Sequence, residues 1–366
     1  VEWPTRHSPI SAEAIWPSHP AVQSNRAMAM IGAAAAQGKA PPEAALTLLD
    51  HVARSSPLAP EPYLVRGATQ QAAGNFAAAE DAFEAARLRD PRNGAARFFL
   101  AQRYLSSGRA DQGIDELAAF SRVVPEAGEA VIGLLGDFAR QPGAARPVAR
   151  FLRMRPSYEA GVMDRLLPDL ANTDAMLAIA RAMPRSSPPP PWQGSLVTRL
   201  LAAGDYARAR LAWRQFTGRD AGTFLFNPGF APLDAPPPFN WTLASNEAGM
   251  VDARPEGGID FIFYGRSENV FASQTLLLPP GRYRLTIPVT IEKQGGASRW
   301  DIFCNNVPTP ILNLPLAVDT GSAASATFVV PRDCPVQALS LRGIPDETGA
   351  GFRGKLGPLK LEKVPS

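Results

Sequence analysis

Residues 58–91 read LAPEPYLVRGATQQAAGNFAAAEDAFEAARLRDP, two Ala-rich helical segments parted by Gly74-Asn75 and closed by Pro91. Apolar residues recur at helical spacing on both sides of that break. Pro57, Pro91 and Pro125 stand 34 residues apart, each closing such a two-helix stretch. A unit of that length cannot bury its apolar face alone and must stack on a neighbour. The chain therefore reads here as an array of helical hairpins.

Counted back from Pro91, Gly67, Gly74, Phe76, Ala79, Phe83 and Ala86 fall where such a unit needs small residues for close helix contact and large ones to fill the groove. The next unit keeps Leu100, Ala101, Tyr104, Gly108 and Pro125, with Gly113 and Leu117 in place of the usual Ala and Phe; the first keeps Ala45, Leu49 and Pro57. On these residues, segment 24–126 resembles tetratricopeptide repeats, with Tyr63 where that family has Trp. The pattern returns in LLAAGDYARARLAWRQF, residues 200–216, where Gly204, Tyr206, Ala209, Trp213 and Phe216 stand as Gly74, Phe76, Ala79, Phe83 and Ala86 do. An α-solenoid of about four to six hairpins is expected over 21–217, after an irregular lead-in at 1–20. The Pro188–Pro191 run reads as a stiff inter-helix loop.

After Thr217 the grammar changes to short alternating runs separated by Gly, Pro, Asn and Asp, which predicts an antiparallel β-sandwich over 218–366. Strands are expected near 223–227, 240–244, 258–264, 270–278, 282–291, 299–304, 325–330, 336–342 and 355–362. In the clearest, Tyr283, Leu285, Ile287, Val289 and Ile291 alternate with Arg282, Arg284, Thr286 and Thr290. The phrases FNPGF and PFNW, then SQTLLLPPGRYRLTIPV, then GKLGPLKLEKV, resemble the jelly-roll carbohydrate-binding modules of the galactose-binding-like group. That resemblance implies a sandwich able to hold a sugar. Its structural calcium site is not expected, because Ala231 follows Phe230 and the closing strand offers Pro358 and Leu359 where acidic ligands are needed. Repeats joined to such a sandwich are similar to proteobacterial envelope proteins associated with surface polysaccharide.

The 366 residues are 45% hydrophobic, enough for a core in each part, and the formal net charge of +3 gives no field to hold nucleic acid. No apolar run approaches the ~20 residues that span a bilayer. Val1 is read as a mature or truncated start, with any signal peptide or anchor already removed. Cys304 and Cys334 are expected to pair in an oxidising, extracytoplasmic compartment such as the periplasm, the other reading being two buried thiols.

The three histidines, His7, His19 and His51, lie far from the strand-rich part, so neither a His-based metal cluster nor a Ser-His-Asp site is expected in it. No cofactor motif is present. Sugar binding needs an aromatic face for the apolar side of a ring and fixed groups for its hydroxyls. If Tyr283, Leu285, Leu339, Leu341, Phe261 and Phe263 form the core, alternation turns Asp260, Tyr264, Arg284, Ser340 and Arg342 outward, and Asp301 joins them if Trp300 and Ile302 point in. The expected carbohydrate set is Tyr264 with Arg284, Asp260, Arg342 and Asp301. On the repeats, Arg66, Gln70, Arg97, Gln102 and Arg103 lie on first helices of hairpins and are the candidates to line a groove for a protein partner. Ordinary hydrated surface is the competing reading for both sets.

These features predict a non-catalytic envelope scaffold that holds a protein partner on the repeats and a glycan on the sandwich, in assembly, export or attachment of surface polysaccharide. One alternative is a polysaccharide-modifying enzyme using acids among Asp252, Asp260, Glu268, Glu292 and Asp301. The other is a pure protein-assembly adaptor.

Overall fold

Gly67 leaves room that a side chain would fill, since a Cβ there would lie 2.6 Å from Phe83 Cε1 in the computed structural model. The two helices of the 58–91 unit thus meet ring against backbone, and Gly74 turns the chain between them at φ 76°, a conformation open to glycine. Gly204 does the same at φ 78° in the recurring unit. The structure describes residues 14–186, 188–219, 224–232, 235–293, 297–304, 307–316, 323–345, 347 and 349–365. Most of the expected lead-in lies outside them.

The chain divides into two compact units, Val1–Leu166 and Leu167–Ser366. The first holds α1 (Pro20–Ala36), α2 (Glu43–Ser55), α3 (Glu61–Ala72), α4 (Phe76–Arg89), α5 (Gly94–Ser106), α6 (Ala110–Val123), α7 (Gly128–Ala139), α8 (Ala145–Met154) and α9 (Glu159–Leu166). Ala79, Phe83, Leu100 and Tyr104 make the joint between the second and third hairpins. Phe83 stacks on Phe99 with ring centres 4.7 Å apart. Arginines brace the same joints from outside. Glu116, on α6 and 7% exposed, accepts from Arg97 of α5 at 2.7 Å and also pairs with Arg87 of α4. Glu80 of α4 accepts from Arg103 at 3.1 Å and is paired with Arg109. Those bonds hold the Glu80 carboxyl below the usual carboxylate range, Arg109 contributing most.

The second unit begins with α10 (Thr173–Arg181), α11 (Pro191–Ala202) and α12 (Tyr206–Thr217). The last helix ends at Thr217 and the first described strand begins at Thr242, while the compact unit starts earlier, at Leu167, for a physical reason at Trp213. That ring donates its N–H to the Pro236 carbonyl at 2.8 Å and packs edge-on against Phe226 and Phe239. Gln215 in turn donates to the Leu177 carbonyl at 2.7 Å, tying α10 to α12.

Among the described residues eleven strands follow: β1 (Thr242–Leu243), β2 (Gly249–Ala253), β3 (Ile259–Phe263), β4 (Asn269–Leu276), β5 (Gly281–Lys293), β6 (Ala297–Cys304), β7 (Pro310–Pro315), β8 (Ala323–Val330), β9 (Gln337–Ile344), β10 (Phe352–Leu356) and β11 (Lys360–Lys363). One sheet runs β1-β4-β9-β6-β7; the other runs β2-β3-β10-β5, with β11 and β8 also on β5. The pairings are antiparallel. Trp300, Ile302, Leu339 and Leu341 of the first sheet share one core with Phe261, Phe263, Tyr283 and Leu285 of the second, so the architecture is a β-sandwich. Phe271 and Trp241 belong to that core.

Three local expectations change. Residues 224–227 form no strand, residue 223 lying outside the described residues. The expected 355–362 strand is two, broken at Gly357–Leu359 where Leu359 N–H turns to the Pro228 carbonyl at 3.0 Å. Strands β2 and β7 were not expected; both are edge strands, and prolines flanking β7 are tolerated because an edge leaves half its backbone groups unpaired. Cys304 ends β6 and is bonded to Cys334 just before β9, Cα atoms 5.4 Å apart.

Candidate functional site

Tyr264 follows β3 directly, where its backbone N–H bonds to the Ala248 carbonyl at 2.9 Å and its ring is left 39% exposed. The 349–351 loop crosses beside it. A Cβ at Gly351 would stand 2.5 Å from the Phe263 carbonyl oxygen, so only glycine allows that approach. Between this loop and the ends of β3, β5 and β10 lies a pocket of about 450 Å³, lined by Tyr264, Ile262, Arg266, Lys293, Ala350 and Arg353 among others. Among the described residues the lining contains three cations and no carboxylate. Arg353 stands opposite both Ile262 and Lys293 in the sheet register, which is what brings the β5 end to the β3 end.

The expected companions of Tyr264 do not gather there. Asp260 is outward on β3, four residues back, or ~13 Å along the strand. Arg284 is outward on β5 but farther still: Asp260 registers with Lys355 and Lys355 with Thr290, leaving Arg284 six residues along and two strands across, ~20 Å by ~10 Å. Arg342 and Asp301 belong to the other sheet and face the opposite side of the sandwich. Each has a partner there. Arg342 pairs with Glu268 and lies 5.4 Å over the Phe303 ring, and Asp301, fully buried, accepts from Arg299 Nε at 2.9 Å. Alternation turns these side chains away from the inter-sheet core but cannot say from which sheet, and it does not show that Asp301 is fully buried. Arg266, Lys293 and Arg353 were missed because nothing local links three cations spread over almost 90 residues.

On the repeats, Arg66, Gln70, Arg97, Gln102 and Arg103 do lie on first helices, α3 and α5. Arg97 and Arg103 are held by Glu116 and Glu80, and Gln70 accepts from Asn75 at 2.9 Å. Arg66 is 4.0 Å from Asp50, and Gln102 has no side-chain bond. A pocket of about 580 Å³ takes in one of the five, Arg97, and is lined also by Arg122, Arg155, Asp115, Glu116 and Met154. Arg155 Nη2 is buried there without a partner while its Nε donates to Ser121 at 3.1 Å.

Among the described residues no group of three or more His, Cys, Asp or Glu could hold a metal ion. Asp252 and Asp260 stand opposite each other on β2 and β3, both exposed and both outside the pocket lining. No described helix is long and apolar enough to cross a membrane.

The architecture is thus tetratricopeptide-like hairpins followed by an antiparallel sandwich, and comparison with known proteins agrees for the helices. Residues 70–136 match the tetratricopeptide repeat family. No curated protein matches the chain. Solved structures with a likeness include TmCBM61 in complex with beta-1,4-galactotriose, 18% identical over 39% of this chain and 99% of its own, TM-score 0.27. Another is Pseudomonas aeruginosa pilF, 15% identical over 54% of this chain and 91% of its own, TM-score 0.32. A family 6 carbohydrate-binding module from Clostridium cellulolyticum in complex with xylose is 16% identical over 33% of this chain and 92% of its own, TM-score 0.23.

Proposed function

We propose that this protein is a binding adaptor that takes a glycan at the Tyr264 pocket and a protein partner on its helical repeats. The observation that carries the glycan reading is the partly exposed Tyr264 at the mouth of a concave site where Arg266 and Lys293 have no partner among the described residues. A pyranose offers C–H groups to an aromatic face and hydroxyls to fixed donors, and both kinds of contact meet here. The partner reading rests on the repeat match at 70–136 and on the arginine-lined pocket, whose Arg122 makes no ion pair. Stacked hairpins commonly grip an extended segment of another protein. The disulfide favours an oxidising compartment outside the cytoplasm, and with it a part in assembling, exporting or attaching surface polysaccharide.

Calorimetric titration of the intact protein with neutral and acidic bacterial polysaccharides tests the glycan reading. Tyr264→Ala is expected to weaken binding by about 1–2 kcal/mol while the fold, read by circular dichroism, is unchanged. Absence of binding by every polysaccharide would leave only the protein-adaptor function.

A further inference from the structure

The described charges around Tyr264 are of one sign and converge on one concavity. Three arginines elsewhere on the sandwich find acids, Arg342 with Glu268, Arg299 with Asp301 at 2.9 Å and Arg254 with Glu256 at 3.7 Å, while Arg282, Arg284 and Arg332 stand singly on the surface without an ion pair among the described residues. In the pocket, Arg266 and Lys293 make no ion pair or side-chain hydrogen bond among the described residues. Arg353 reaches Glu292 only at 4.0 Å, and that carboxylate lies closer to Lys355, at 3.5 Å. Three like charges facing one concavity repel one another, an unfavourable arrangement that an anion in the concavity would relieve.

Resting on the glycan-binding reading above, we infer that the Tyr264 pocket selects an acidic sugar, a uronate whose ring lies on Tyr264 and whose carboxylate sits among Arg266, Lys293 and Arg353. A guanidinium matches a carboxylate with two parallel N–H bonds, and a lysine adds a compact charge beside it. A neutral sugar would satisfy the hydroxyl-binding part of the site and leave the repulsion in place. The volume, about 450 Å³, suits a sugar residue and part of its neighbour, within the roughly 300–1,000 Å³ of small-molecule sites. The glycine-tight 349–351 loop closes one side, so selection operates on the residue seated in the pocket rather than along an open face.

The test compares polygalacturonate, neutral β-1,4-galactan and polyglutamate on the intact protein by calorimetry at low and moderate salt. Polygalacturonate is expected to bind at least about tenfold more tightly than galactan, with the advantage shrinking as salt rises. The exposed pair Arg266→Gln with Lys293→Gln should remove about tenfold of polygalacturonate affinity and clearly less of galactan affinity, since glutamine still bonds hydroxyls, with the thermal midpoint unchanged. Tyr264→Ala should weaken both polysaccharides and should not alter the response to polyglutamate. Equal binding of galactan and polygalacturonate, or full acidic binding by the double variant, would overturn the inference and leave the glycan reading standing. Polyglutamate binding as tightly as polygalacturonate would also overturn it, since charge alone would then suffice. If neither polysaccharide binds, the inference and the glycan reading fall together.

Discussion

In the helical unit Arg87, Arg97, Arg103 and Arg109 close on two carboxylates, Glu116 and Glu80, and so clamp one hairpin to the next. In the sandwich pocket Arg266 and Lys293 have no such acids, and they surround a cavity instead of a joint. The same side-chain types serve stability in one region and are left available in the other. What separates the two cases is the presence of a partner carboxylate at hydrogen-bonding distance. Arg97, named from sequence for its place on a first helix of a hairpin, is held by Glu116 and also lines the repeat pocket, whereas Arg266, in a loop, has no partner among the described residues.

That contrast can be broken at several points. Replacing Cys304 and Cys334 by Ala should cost the sandwich about 3–4 kcal/mol, because the bridge closes a loop of 30 residues in the unfolded chain. Thermal unfolding with and without reductant reads this, and the helical unit's transition should not move. Glu116→Ala should cost the helical unit about 2–3 kcal/mol: it strands two guanidiniums, and their partial exposure reduces the ~3–5 kcal/mol expected for a fully buried pair. Chemical denaturation followed by far-ultraviolet dichroism measures it, and an unchanged midpoint would mean that the clamp is ornamental.

Acid offers a gentler probe of the same clamps. The Glu80 carboxyl titrates below its ordinary 4.5 in the folded state, so between the two values the unfolded chain binds more protons than the folded one. Its contribution is complete above pH 4.5 and is lost as the pH falls through the folded value. Amide protection in α4 and α5, taken relative to the intrinsic exchange rate at each pH, should therefore fall on acidification, and Glu80→Gln should flatten that response. The smallest expected effect lies in the sandwich, where Asp252 and Asp260 repel across β2 and β3. Asp252→Thr should stabilise it by a few tenths of a kcal/mol, up to ~0.5, visible as a slightly higher melting temperature. Loss of stability instead would assign Asp252 a contact of its own.

The proline spacing, Gly67 against Phe83 and the glycine turns were legible because a helical repeat is a local object: its positions are fixed by residues within one 34-residue period. The inward set of the sandwich was legible too, since strand period alone sorts Tyr283 and Leu285 from Arg282 and Arg284. Edge strands β2 and β7 were not, for want of a two-sided core to impose a strong alternation.

By itself, then, the sequence determined the two kinds of architecture, the change of period near 217 and which side chains leave the core, because each depends on contacts between near neighbours along the chain. Only the tertiary structure decided which outward residues share a face. Arg342 and Asp301 went to one sheet and Asp260 and Arg284 to the other, while Arg266, Lys293 and Arg353 converged beside Tyr264. Sheet membership and register are set by pairings between distant strands, and a period of two residues carries no record of which strand will lie alongside.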